Sequence, residues 1–237
     1  MTSIKNSVVL VTGGSRGLGK ALVEELYERG AAKVYASARD PRTVTHPDAV
    51  PLALEVTDPA SVEAAAAQAR DVTVLVNNAG ISLGASSFLD APVEDVRREF
   101  ETNFFGPLLV TRAFVPHIER NGGGHLLNVH SVLSWLAVAG SYSATKAALW
   151  SQTNTLRLEL RPRGIGVTGL HVGYIDTDMA SRVDAPKSAP RDVAALALDG
   201  IEADAHEVLA DDISRSVRSG LSGDLTALYP QLEDTAG

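Results

Sequence analysis

The 237-residue chain has no cysteine, two methionines and two tryptophans, and aromatic residues make up only 5% of it. Without thiols there can be no disulfide framework, no thiolate metal site and no cysteine nucleophile, a composition compatible with a reducing compartment. No run of about eighteen apolar residues occurs, and the start M-T-S-I-K-N-S lacks the apolar stretch of a secretory leader, so a soluble, cytoplasmic protein is expected. Basic residues are in deficit, 21 against 29 acidic, and the net charge of −8 is spread along the chain. That balance argues against nucleic acid and anionic membrane as partners. The six histidines lie without the spacing of metal ligands, so no metal is expected.

What the chain does have is apolar material, 45% of its residues, arranged in short β-branched runs that alternate with longer helical stretches. The runs are S-V-V-L-V-T near residue 10, K-V-Y-A-S near 35, V-P-L-A-L-E-V near 53, V-T-V-L-V-N near 75, H-L-L-N-V-H near 128, G-V-T-G-L-H-V near 169, and H-E-V-L-A-D after a helical segment at 190–203. Continuous rather than alternating apolar character predicts strands covered on both faces, and strand–helix–strand repetition predicts a parallel sheet. The expected fold class is α/β, a doubly wound, seven-stranded parallel sheet with helices on both faces. One domain over 1–237 suffices, with a cofactor half near 1–125, a catalytic and substrate half near 126–237, a loop near 178–190 and a flexible tail near 229–237.

The first strand runs into T-G-G-S-R-G-L-G, residues 12–19, and then into a helix. Gly13, Gly17 and Gly19 allow a tight turn, close approach of backbone to a pyrophosphate, and close packing of helix on sheet; the amides of Ser15, Arg16 and Leu18 lie in the same turn. This is the context of a Rossmann-type dinucleotide site, with the anion at a helix N-terminus. After the second strand comes A-S-A-R-D, where Arg39 would pair a 2′-phosphate with help from Arg16, favouring NADP(H) over NAD(H). The alternative is that both arginines are exposed charges and Asp40 holds the ribose.

In S-Y-S-A-T-K, residues 141–146, Tyr142 and Lys146 fall one helical turn apart, near enough for an ammonium to bias a phenol's ionisation. Such a pair also arises by chance. With T-G-G-S-R-G-L-G, N-N-A-G at 77–80, N-F-F-G at 103–106, Ser131, Y-S-A-T-K and G-Y-I-D-T at 173–177 in this order, however, the chain resembles the short-chain dehydrogenase/reductase family from about residue 8 to 180. The resemblance implies that Tyr142 is the proton donor and acceptor, that Lys146 lowers its pKa and holds the nicotinamide ribose, that Ser131 polarises the substrate carbonyl, and that Asn103 holds a water linking the lysine to solvent. It further implies that Asn77, Ala79 and Gly80 line the adenosine side and buttress the sheet, that Gly173, Ile175 and Thr177 approach the nicotinamide, and that Glu55 and Val56 lie beside the adenine. The implied activity is hydride transfer between NADP(H) and a carbonyl or secondary alcohol, in a homotetramer or homodimer. A nucleotide-binding regulator, or an epimerase or lyase, is the alternative function.

Two departures from the family stand out. Ser131 and Tyr142 are eleven positions apart, where the family has about twelve or thirteen, and Ser134 would replace Ser131 if the strand register shifted. Glu55-Val56 stands where the family has Asp-Val. Leu133, Tyr174 and Met179, with Trp135 and Leu136, are candidates for an apolar substrate pocket, and His130 for packing behind the serine.

Overall fold

The computed structural model describes residues 2–84 and 87–233. In chain order the elements are β1 (Val8–Val11), α1 (Gly17–Glu28), β2 (Lys33–Ala38), β3 (Val50–Ala53), α2 (Pro59–Gln68), β4 (Val74–Asn77), α3 (Val93–Phe100), α4 (Gly106–Arg120), β5 (Gly124–Val129), α5 (Gly140–Leu160), β6 (Ile165–His171), α6 (Pro190–Glu202), β7 (Glu207–Leu209), α7 (Asp212–Gly220) and α8 (Leu225–Leu228). The seven strands form one sheet in the order β3-β2-β1-β4-β5-β6-β7, and every pairing is parallel. Strand order reverses between β1 and β4, so a crevice opens there at the carboxyl ends of the strands.

Successive residues of β1 go to opposite faces: Val9 and Val11 join Leu22, Leu26, Val193, Leu198 and Ile201 of α1 and α6, whereas Leu10 joins Phe114, Ile118, Leu156 and Leu160 of α4 and α5. Each of these side chains is at most 8% exposed. Full burial of such a side chain contributes roughly 1.5–3 kcal/mol, so the two layers together hold the sheet between them. A third, smaller cluster packs Val132 and Trp135, from the segment that joins β5 to α5, against Val217 of α7.

The seven strands lie where the apolar runs predict. The expectation of cover on both faces fails at β3, where Val50, Pro51 and Ala53 are exposed and only Leu52 is buried, because this strand forms the sheet's edge. In the 178–190 segment a single 3-10 turn, Asp178–Ala180, is followed by a parallel bridge between Ile175 and Ser188. The expected tail is in part anchored: Pro230–Leu232 make a helical turn, and Ala137 N–H donates to the Tyr229 hydroxyl at 2.9 Å. Residues 234–237 of that tail lie outside the described residues. Among the described residues no helix is long and apolar enough to cross a membrane.

Candidate active site

The glycine turn after β1 is held from the neighbouring strand. The Thr12 hydroxyl accepts from the N–H groups of Asn78 and Ala79 at 2.9 and 3.0 Å, and the Asn78 amide donates to the carbonyls of Thr12 and Gly13 at 2.9 and 3.3 Å. Gly13 and Gly17 have φ of 66° and 53°, the left-handed region where a Cβ is costly. At Gly19 a Cβ would lie 2.0 Å from the Gly13 carbonyl oxygen, which is why α1 can start so close to the turn. No side chain caps α1 and its first turn holds no acid, so its amides face the crevice edge without an internal partner. Ser15 is half-buried in this turn, and Leu18 sends its side chain into the core. Thr177 closes over the turn, its methyl 3.2 Å from where a Cβ on Gly17 would stand. Ile175, two residues earlier, packs against the α1/α6 layer.

At the end of β2, Arg39 is exposed and makes no ion pair among the described residues, whereas Asp40 is held by Arg42 through two guanidinium contacts of 2.9 Å. The Arg42 pairing holds the Asp40 carboxyl below its ordinary range and occupies both its oxygens. Arg16 lies 3.8 Å from Asp178, with both side chains largely in solvent, a contact of small energetic weight.

Three residues expected beside the cofactor have other work. Asn77 is buried and its amide donates to Thr111 Oγ1 at 3.1 Å and Asn128 Oδ1 at 2.9 Å, so of its two expected roles the structure shows the buttress. Glu55 accepts from the hydroxyl and N–H of Thr57 at 3.0 and 3.3 Å, and Val56 packs into the core against Gly106, where a Cβ would come within 2.9 Å of it. Their side chains face the protein because β3 ends at Ala53 and the chain turns there toward α2.

On the other side of the crevice, one wide π-helical turn, Glu101–Phe105, separates α3 from α4 and directs Asn103 inward. Asn103 is 1% exposed; its amide donates to Ile81 O at 2.9 Å and Thr145 Oγ1 at 3.1 Å, and its oxygen accepts from Ile81 N–H at 2.9 Å. Lys146 is buried and donates to Val129 O at 2.9 Å. Gly80 stands between these two residues, since a Cβ there would lie 3.2 Å from Asn103 Oδ1 and 3.8 Å from Lys146 Nζ. The α5 helix carries Tyr142 and Lys146 on one face, with Nζ 5.7 Å from the centre of the Tyr142 ring.

Burial governs the ionisation of this pair. Burial pushes the Tyr142 phenol up to about 12, with the Glu99 carboxylate adding to the rise, and burial lowers Lys146 to about 8. Glu99, absent from the sequence reading, is 1% exposed and accepts from Leu83 N–H at 2.7 Å and Ser141 Oγ at 2.5 Å.

Ser131 follows β5 without a slip in register: His130 N–H donates to Leu170 O and Val132 N–H to Val172 O, the regular spacing of a parallel pair. Ser131 Oγ accepts from Leu133 N–H at 3.2 Å, and its carbonyl lies 3.3 Å from His171 Nδ1. Ser134 is equally buried but sits in the turn Val132–Ser134, and its hydroxyl has no partner among the described residues. The short connection is therefore absorbed after Val132, by that turn and by Gly140 at φ 50°. His130 stacks on His171 at 4.7 Å, and His171 stacks on Trp135 at 3.9 Å. Burial lowers His171 to about 4 and His130 well below the ordinary imidazole value. Trp135 thus belongs to the core beneath the site and not to a substrate pocket; Leu133 and Leu136 pack against the same cluster. Tyr174 and Met179 are 46% and 58% exposed, beyond Gly173, whose N–H donates to Asp211 Oδ2 at 2.6 Å.

A dinucleotide fits this arrangement: uncapped α1 amides on one flank, a glycine where a side chain would block Asn103 and Lys146, and a buried ammonium on the other flank. Residues 7–188 match the family description "short chain dehydrogenase". The chain is 35% identical over 185 residues to an NADPH-dependent 1-acyldihydroxyacetone phosphate reductase of Schizosaccharomyces pombe, a match covering 73% of this chain and 62% of that protein. A short chain dehydrogenase of Burkholderia cenocepacia J2315, solved in complex with NADP, superposes with a TM-score of 0.91 at 38% identity, covering 97% of this chain and 98% of the other. A 3-ketoacyl-(acyl-carrier-protein) reductase of Brucella melitensis, solved with NADH, has a TM-score of 0.80 at 27% identity, covering 88% of this chain and 96% of its own.

Proposed function

The chain belongs to the short-chain dehydrogenase family and is an oxidoreductase, and from that premise we propose that it is an NADP(H)-preferring reductase of a small-molecule carbonyl, with Tyr142 as its proton donor. The observation that carries this reading is the meeting of Asn103, Lys146 and Gly80 at the strand-order reversal, one helical turn from Tyr142. The glycine turn and α1 amides would hold the pyrophosphate, Lys146 the ribose next to the nicotinamide, and Thr177 the carboxamide end. The bound nicotinamide supplies or accepts the hydride.

The protein supplies placement and a proton. A phenol that titrates near 12 is fully protonated at neutral pH and still far more acidic than the alcohol it would leave behind, so proton transfer from Tyr142 to a developing alkoxide runs downhill. Ser131, at the end of β5 beside the start of α5, is the second hydrogen-bond donor to the same oxygen. Lys146 and Asn103 return the tyrosine's proton. Arg39, exposed and unpaired among the described residues, supports NADP(H), and Arg42 competes with a ribose for the Asp40 carboxylate. The fission-yeast relative named for NADPH points the same way.

Copies of the chain are proposed to pair through α4 and α5, where Phe105 beside α4 and Leu158 on α5 are 42% and 81% exposed. The test of function is a thermal-shift titration with NADPH and NADH followed by turnover of a ketone and aldehyde panel. Stronger stabilisation by NADPH together with carbonyl-dependent consumption is expected. Binding without any turnover would transfer the reading to a nucleotide-sensing protein, and absence of binding would overturn it.

A further inference from the structure

Ser131 stands just past the end of β5, and the end of β6 meets it through the side chain of His171. His171 is fully buried between His130 and Trp135, with ring centres 4.7 and 3.9 Å away and planes within 12° of its own on both sides. Its faces are thus taken up by packing, and only the ring edge remains for hydrogen bonds. The two edge nitrogens meet different oxygens. Nδ1 lies 3.3 Å from the Ser131 carbonyl, within hydrogen-bond reach, whereas Nε2 lies 3.9 Å from Glu207 Oε1 and has no hydrogen-bond partner among the described residues. Glu207 is engaged elsewhere: Trp150 Nε1 donates to its Oε1 at 2.9 Å and Arg218 Nε to its Oε2 at 2.7 Å, so its charge already has a cation. Burial lowers the pKa of His171 to about 4, so at pH 7 the ring is neutral and carries one N–H. The two distances put that proton on Nδ1.

We propose that His171 is a positioning residue for Ser131: its Nδ1–H holds the Ser131 carbonyl, and the stack with His130 and Trp135 fixes the direction in which that N–H points. The inference rests on the reading of Ser131 as the second donor to the substrate oxygen. The same carbonyl accepts from Ser134 N–H at 3.0 Å, the bond that closes the turn Val132–Ser134. That turn supplies Leu133 N–H, which donates to Ser131 Oγ at 3.2 Å. The hydroxyl's own hydrogen has only the Val172 carbonyl, at 3.4 Å, and can turn from that long contact to a substrate oxygen. A hold on the carbonyl is therefore a hold on the turn that orients the hydroxyl. The stack is braced in its turn: Arg218 lies over the Trp135 ring, 5.6 Å from its centre, while its Nε binds Glu207. Glu207 belongs to β7 and Arg218 to α7, both after residue 188, so this brace lies outside the stretch that matches the family description.

The first test uses the full chain and needs neither substrate nor cofactor. Nitrogen NMR of the isotope-labelled protein, with His171 assigned from its backbone resonances, is expected to show a protonated Nδ1 and a bare Nε2 at pH 7. A ring protonated on Nε2 instead cannot donate to Ser131 and overturns the proposal. The second test compares two variants on a working carbonyl substrate. His171→Asn places an amide N–H near the position of Nδ1 but loses most of the stack, whereas His171→Phe keeps the stack and has no donor. A displaced serine should cost the Phe variant about tenfold or more in kcat, while the Asn variant stays within about threefold of wild type. The KM for NADPH should stay within about twofold of wild type in both, because Ser131 acts on the substrate. A packing role alone reverses the order, so a Phe variant at least as active as Asn overturns the proposal. Should either variant not fold, the wild-type tautomer decides alone. Absence of turnover in the wild type counts against the reductase reading, and the tautomer still decides whether His171 holds Ser131.

Discussion

On the β1/β4 flank of the crevice the chain offers backbone amides, glycines and one threonine–asparagine clamp, and its charges, Arg16 and Arg39, stand out in solvent. The β5/β6 flank buries Lys146, Glu99, His130 and His171. The first flank positions by steric exclusion, and its charges lie at the surface, where salt screens them. The second sets proton affinities by desolvation, where salt has little effect. On the proposed function, the first flank would serve mainly to bind and the second would carry the chemistry as well as a hold on the ribose.

The sharpest way to break that division is Tyr142→Phe. Removal of a general acid costs about 100- to 10,000-fold in turnover, while NADPH affinity measured by fluorescence titration should stay within about twofold. Equal losses in both would show that the two flanks are not separable. Next in size is Gly19→Ala, whose methyl would meet the Gly13 carbonyl at 2.0 Å. Overpacking against backbone should cost up to about 3 kcal/mol of stability in a denaturant melt and raise the KM for cofactor, with turnover at saturation largely kept.

The buried histidines of the second flank give a smaller effect with a definite sign. Burial lowers the folded-state pKa of His171, like that of His125 at the other end of the sheet, to about 4, below the ordinary imidazole value of 6.5. The unfolded chain therefore binds more protons across that window, and stability is lost as pH falls from 6.5 toward 4. By pH 5 the loss is about 2 kcal/mol for each of the two, read as a falling Tm at constant ionic strength. The smallest change is Arg39→Ser, which should weaken NADPH about tenfold at low salt and less at high salt, leave NADH unaffected, and leave turnover at saturating NADPH alone.

Which parts were legible in the sequence follows from the same contrast. The glycine turn could be read because its constraints are local: positive φ at Gly13 and Gly17 and a helix starting at once. The seven strands were legible for the same reason, in continuous apolar runs, with β3 misread as covered because position at a sheet edge is not a local property. Within N-N-A-G the two asparagines look alike, yet adjacent strand residues point to opposite sides, so Asn77 ties β4 to α4 and β5 while Asn78 holds the turn. Glu99 was invisible because in R-R-E-F-E an acid reads as one more solvated charge; only the packing of α3 against α5 turns it inward. Spacing places Lys146 within a turn of the phenol but does not say that its ammonium also reaches the Val129 carbonyl.

The Tyr229 hydroxyl holds the segment between Ser131 and Tyr142, at Ala137, from 92 positions further along the chain. A ribosome delivers Tyr229 only after all seven strands have emerged. The segment between Ser131 and Tyr142 is thus fastened by a residue encoded beyond the last strand of the sheet, so its tether completes only when nearly the whole chain is present.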